Sequence, residues 1–209
     1  MRITISLFVC WFPTIFFGQT NTDSVAVIRQ IDSLLMVSRT FSGQQNFDKA
    51  LEAVVAAENK ALETFGRTSV AYGDCCYRQA RLNYEKGNFR EAEKWYLESI
   101  AVQEAAAGKN NAVYAERLSV LGYLYLDAEA YEKAESLFLE CASIRLNVFG
   151  RESVDYCGIL INQGSLYAQM GQTEKAESLF LEARAIFKDR LNNRTHPFYL
   201  NCLNNLASL

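Results

Sequence analysis

Proline is nearly absent. The chain has two, Pro13 and Pro197, so everything between Asn21 and His196 is free of the strongest helix breaker. That favours an all-helical protein. Basic excess is missing too. The 21 Lys and Arg stand against 24 Asp and Glu, a net charge of −3, and a nucleic-acid-binding surface is not expected. Histidine occurs once, at His196, and no pair of the six cysteines has C-x-x-C or zinc-finger spacing. No glycine-rich phosphate loop, metal triad or paired-carboxylate site is present. No metal or cofactor is therefore expected, and no enzymatic activity. Disorder is excluded as well, because half of the residues are hydrophobic and 22% are charged.

What is present begins with residues 1–20. Arg2 precedes an apolar run from Ile3 to Phe17, no acidic residue appears before Asp23, and Gly18-Gln19-Thr20 supplies a small-residue exit. These are the features of a secretory signal peptide. The run is shorter than the roughly 20 residues that a spanning helix needs, and Pro13 interrupts it. The expectation is an exported protein, periplasmic, cell-surface or secreted, with no membrane span in the mature chain. Export would permit disulfides. Yet Cys75, Cys76, Cys141, Cys157 and Cys202 are odd in number and fall in helical patterns where small apolar residues are wanted. They read as buried free thiols.

From residue 21 to residue 209 the chain repeats. Residues 132–140 read EKAESLFLE, and residues 174–182 read EKAESLFLE again, 42 residues on. Residues 90–98, another 42 upstream, read REAEKWYLE. Chance does not give an identical nonamer twice in so short a chain. Units of this length make a solenoid, in which each buries its apolar face only against its neighbours.

Asp23 or Ser24 is expected to cap a first helix whose apolar stripe runs through Val25, Ile28, Ile31, Leu34, Leu35 and Phe41 at a period of 3.6, ending at Gly43. A second helix is expected from near Asn46 to Phe65, stopped by Gly66. The pair then recurs at about 69–86 with 89–107, 112–128 with 131–149, and 153–170 with 173–191. A half-unit follows His196-Pro197. The units are approximately 24–66, 67–108, 109–150 and 151–192, with a partial unit at 193–209.

The register is tight. Ala50, Ala92, Ala134 and Ala176 are each 42 apart and sit where two helices would cross closely. Gly66, Gly108, Gly150 and Asn192 share the same spacing at the ends of the second helices, where a left-handed residue terminates a helix. Tyr72, Tyr114 and Tyr156 are 42 apart, but Tyr199 comes 43 residues later, so the turn at 192–195 holds one extra residue. Pro197 suits the first turn of the helix that follows.

These residues resemble the tetratricopeptide repeat. The fourth unit carries Leu160, Gly164, Tyr167, Ala176, Phe180 and Ala183 at that family's spacing; the third carries Leu118, Gly122, Tyr125, Ala134 and Phe138, with Cys141 in place of the last alanine. The second unit keeps Ala92 and Tyr96 but has Ala80 and Asn83 in place of the glycine and aromatic. The first keeps Ala50 and Ala57. The resemblance implies an all-α, right-handed solenoid of antiparallel helix pairs, about 4.5 repeats long. A unit of 42 residues is similar to the kinesin-light-chain type, whose helices are longer by about one turn each. The phrases EAEKWYLES and EKAESLFLEA also look similar to bacterial arrays that precede a caspase-like CHAT protease domain, which would make the chain the sensory part of a larger enzyme.

In this family the first helix of each pair lines the concave face, where partner peptides or proteins bind. Carried over by position, the candidates in the second unit are Tyr77, Arg78, Arg81 and Glu85. The third unit offers Ser119, Tyr123 and Asp127, and the fourth offers Ser165, Gln169 and Asn162, which aligns with Asn205. The resemblance implies that such asparagines hold a peptide backbone, since an amide both donates and accepts. The simpler alternative is a solvated or inter-repeat face. The Glu and Lys strings of the second helices read as exposed faces with local charge pairing, and His196 and Cys202 as a turn residue and a buried thiol. Self-association of the array is a further reading.

Overall fold

The computed structural model describes the backbone of residues 17–209, with side chains from residue 23 onward. The expected signal segment lies outside the described residues except for 17–20. Among the described residues there are nine α-helices and no strand: α1 Phe17–Gly43, α2 Phe47–Phe65, α3 Val70–Glu85, α4 Phe89–Ala107, α5 Ala112–Asp127, α6 Tyr131–Phe149, α7 Val154–Gln169, α8 Thr173–Ala185 and α9 Pro197–Ser208. No helix among them is long and apolar enough to cross a membrane.

The helices start where local chemistry dictates. Ser69, Asn111 and Ser153, each 42 residues apart, accept the backbone N–H of Tyr72, Tyr114 and Tyr156 on their side-chain oxygens. His196 takes the equivalent place one residue late: its Nδ1 accepts from the Phe198 N–H at 3.1 Å, with Pro197 at the first helical position. Gly66, Gly108 and Gly150 close α2, α4 and α6 with φ of 79°, 74° and 82°, and Asn192 substitutes at 45°.

Two boundaries differ from expectation. The first helix does not start at Asp23 or Ser24, because both lie inside α1, which is already helical at Phe17, the first described residue. The helix expected over 173–191 is regular only to Ala185, and Ile186–Arg190 form a π turn in which the Leu191 N–H reaches back to the Ile186 carbonyl at 3.0 Å. The wider turn lets the consecutive Ile186 and Phe187 both face the core, where they are buried. His196 stacks on Phe187 with ring centroids 5.3 Å apart.

The packing residues fall where the register puts them. Ala50, Ala92, Ala134 and Ala176 are fully buried, as are Phe138, Phe180 and Ala183. A Cβ on Gly164 would stand 2.5 Å from the Phe180 ring, and one on Gly122 would meet Phe138 in the same way. Cys141 fills the last alanine position and donates its thiol to the Ala115 carbonyl at 3.1 Å. Cys75, Cys76, Cys157 and Cys202 are likewise buried and free. Burial pushes the Cys141 and Cys202 thiols up to about 11 and the other three to about 12, so they stay protonated and inert.

Candidate functional site on the inner helices

The first helices α1, α3, α5, α7 and α9 approach one another directly, and side-chain bonds join each to the next. Arg78 donates Nε to Ser38 Oγ at 3.1 Å and Nη2 to the Ser38 carbonyl at 3.2 Å, while Ser42 donates to Glu85. Between α3 and α5, Tyr77 donates to Glu116 at 3.1 Å, Tyr84 donates to Asp127, and Arg117 reaches Asp74. Between α5 and α7, Tyr123 donates to the Asn162 carbonyl oxygen, and the Asn162 amide donates to Ser119 at 3.1 Å. Asn205 donates to Ser165 at 3.4 Å, repeating the Tyr123–Asn162 pairing one unit on. The face is a ladder of polar cross-links.

All eleven candidate residues lie on these inner helices, but they differ in access. Arg78 is 5% exposed, Ser119 5% and Asn162 8%, so these three hold neighbouring helices together. Tyr123, Asp127 and Gln169 are open to solvent, and Tyr77, Arg81, Ser165 and Asn205 are half-buried. Glu85 stands between Arg78 and Arg81, 3.6 Å from each. Ser165, Gln169 and Asn205 meet in one recess of about 240 Å³ with Phe180 and Leu209. Arg39, Ser42, Phe47 and Glu85 line a second, open recess of about 610 Å³.

Several contributors escaped the sequence reading. Arg117 is 2% exposed, wedged beneath Tyr77, and donates to the Ser99 carbonyl at 2.7 Å. Its register partners are Cys75 and Ile159, so a charge at an apolar position was the signal. Gly73 makes room for it, since a Cβ there would stand 2.9 Å from Nη1. The charges of the second helices are not merely solvated: Glu93 accepts from Tyr125 at 2.6 Å and Glu135 from Tyr167 at 2.7 Å, each bond 32 residues long. Lys133 and Lys175 lie over those two tyrosine rings at 4.7 and 4.9 Å.

No group of three or more potential metal-ligating side chains occurs among the described residues. His196 is committed to its helix cap, and the Cys202 thiol donates to the Phe180 carbonyl at 2.9 Å.

A tandem array of helix pairs whose first helices interlock along one face is the tetratricopeptide architecture. The tetratricopeptide repeat family profile matches residues 74–147 and 155–209, and the chain belongs to that family. No curated protein matches the sequence. Among solved structures, BtubC (BKLC) from P. vanneervenii superposes with a TM-score of 0.81 at 17% identity, covering 91% of this chain and 75% of that one. A Podosopora anserina kinesin light chain protein with nearly identical TPR-like repeats gives 0.75 at 18%, covering 87% and 85%. MamA gives 0.55 at 18%, covering 83% and 87%. At these identities the likeness speaks for the fold alone, a repeat array like that of the kinesin light chain structure.

Proposed function

We propose that the protein is a non-enzymatic scaffold that binds a protein or peptide along the inner face of its first helices. The observation that carries this is the face itself. It runs unbroken across five helices, is fixed by cross-links rather than by the ligand, and still presents Tyr123, Asp127 and Gln169 to solvent, with Tyr77 and Arg81 half-buried beside them. A pre-formed surface of hydroxyls, amides and charges loses little freedom on binding an extended segment. Tyr123 offers an aromatic body with a polar tip, of the kind enriched at binding hot spots.

Pull-down with the chain from residue 21 onward tests it. The triple variant Arg81→Glu, Tyr123→Ala, Gln169→Ala should lose a partner that the parent chain recovers, and equal recovery would refute the assignment. Asn162 is left intact in that variant because it is buried between α5 and α7. We propose also that the protein is exported, supported by the charge and hydropathy pattern of residues 1–20. Mass spectrometry of the protein from cell fractions should find an N-terminus near residue 21 outside the cytoplasm. An intact Met1 in the cytoplasm would contradict it.

A further inference from the structure

The inner face of the first three units carries two rows of opposite charge. Asp32, Asp74 and Glu116 are each 42 residues apart and occupy one register on α1, α3 and α5. Arg39 and Arg81 are also 42 apart, and each lies seven residues beyond its acid. Seven residues are two turns, so acid and base share a face and stand about 10 Å apart along the helix.

The neighbours confirm that each row is a real cluster. Burial pushes the Asp74 carboxyl above its ordinary range; Arg117 opposes this, and repulsion from Asp32 and Glu116 adds to it. Burial lowers the Arg78 guanidinium, Glu85 opposes this, and repulsion from Arg39 and Arg81 lowers it further. On the acidic edge Asp74 pairs with the single guanidinium of Arg117, Glu116 accepts from the Tyr77 hydroxyl, and Asp32 adds a third carboxylate. On the basic edge Arg39, Arg78 and Arg81 face the single carboxylate of Glu85, and the next acid, Asp127, is taken by the Tyr84 hydroxyl. Tyr77 stands between the rows. The basic row stops after α3, where its register continues as Tyr123 on α5 and Ser165 on α7, and the acidic row stops after α5, where its register continues as Gly158. The charge is therefore a local feature of the first three units.

A chain lying across these helices runs between a negative and a positive edge. In an extended segment successive side chains point to opposite sides. We propose that this part of the face takes an extended peptide segment whose alternate side chains carry opposite charge, basic ones toward Asp32, Asp74 and Glu116 and acidic ones toward Arg39 and Arg81. Three neighbouring helices, spaced by roughly 8–10 Å, require about six residues of such a segment. The proposal rests on the inner-face reading and adds the chemistry of the ligand.

The test is fluorescence anisotropy at low salt with the full repeat array and three short labelled peptides: alternating Lys-Glu, all Glu and all Lys. Exposed pairs are individually weak, so several acting together should favour the alternating peptide by about tenfold over either homopolymer. The pair Arg39→Glu, Arg81→Glu should abolish that preference, and so should the pair Asp32→Lys, Glu116→Lys. Combining all four substitutions reverses Asp32, Glu116, Arg39 and Arg81 and leaves only Asp74 unreversed, whose charge Arg117 balances. The alternating peptide can then shift by one residue, so its affinity should return, which no general loss of structure would produce. An all-Glu peptide binding as tightly as the alternating one would overturn the proposal, as would failure of the four-fold variant to recover. If a natural partner is lost on Tyr123→Ala and Gln169→Ala yet ignores all four charge substitutions, the charge reading falls and the scaffold reading stands.

Discussion

Arg117 is the residue on which the second and third units are keyed together. Its guanidinium is almost wholly buried and is held by Asp74, whose side chain is 44% exposed, and by the Ser99 carbonyl. Removing one partner of a fully buried pair costs about 3–5 kcal/mol. Because Asp74 keeps water contact, Asp74→Ala should cost about 2 kcal/mol in urea unfolding, less than that range. Arg117→Met, which removes the buried charge and keeps the stem, should cost less than Asp74→Ala; the reverse order would mean the ion pair is not what matters. The tyrosines set the alkaline limit. Burial, then their Asp127 and Glu135 partners, push Tyr84 and Tyr167 from 10 up to about 12. The folded state thus keeps protons that the unfolded chain has lost. That stability is complete below pH 10 and disappears between pH 10 and 12. The buried thiols, raised from 9, begin the loss earlier. Tyr84→Phe with Tyr167→Phe should flatten the fall of Tm above pH 10, and an unchanged slope would show that these hydroxyls do not contribute.

At the scale of single elements, the repeat register made most of the structure legible. Helix pairs, their glycine stops and the alanine crossings follow from a spacing of 42 residues, and the structure keeps all of them. What stayed hidden was of another kind. Within each unit the turn between helices places one residue in the left-handed region: Gln45, Gly87, Glu129 and Gly171, with φ from 56° to 77°. Two of the four are not glycine, so composition did not mark the turn, although the 42-residue spacing does. A side chain in that region is strained by roughly 1 kcal/mol. Gly171→Ala should cost about that much, and Glu129→Gly should be neutral or slightly stabilising in thermal melts. The glycines inside helices are a different case. Gly164→Ala drives a methyl into the Phe180 ring and should cost about 2 kcal/mol, whereas Gly43, with nothing within 4 Å, should accept alanine with little change. Equal effects at the two sites would contradict the packing described. The register places the candidate residues on the first helices, but their burial was not readable. Whether Arg78 or Asn162 faces solvent depends on the neighbouring first helix, which lies about 40 residues away in sequence.

Across the whole molecule, stability is distributed among neighbours, as in any array whose units contact only the next one. The cross-links of the inner face run from α1 to α9 without a gap. They fix each first helix against the next, and two parts of that surface differ in character. The first two units present paired rows of charge, which the third continues only as Glu116; the fourth and the last half-unit present hydroxyls and amides around the recess of Ser165, Gln169 and Asn205. A partner that lies along the full face would therefore be charged at one end and neutral at the other. We propose that the inner face of the first helices is the binding surface. Hydrogen-exchange mass spectrometry of the array with and without bound partner tests it most directly. Added protection is expected in α1, α3, α5 and α7 and none in the outer helices; protection concentrated in α2, α4, α6 and α8 would contradict the inner-face assignment.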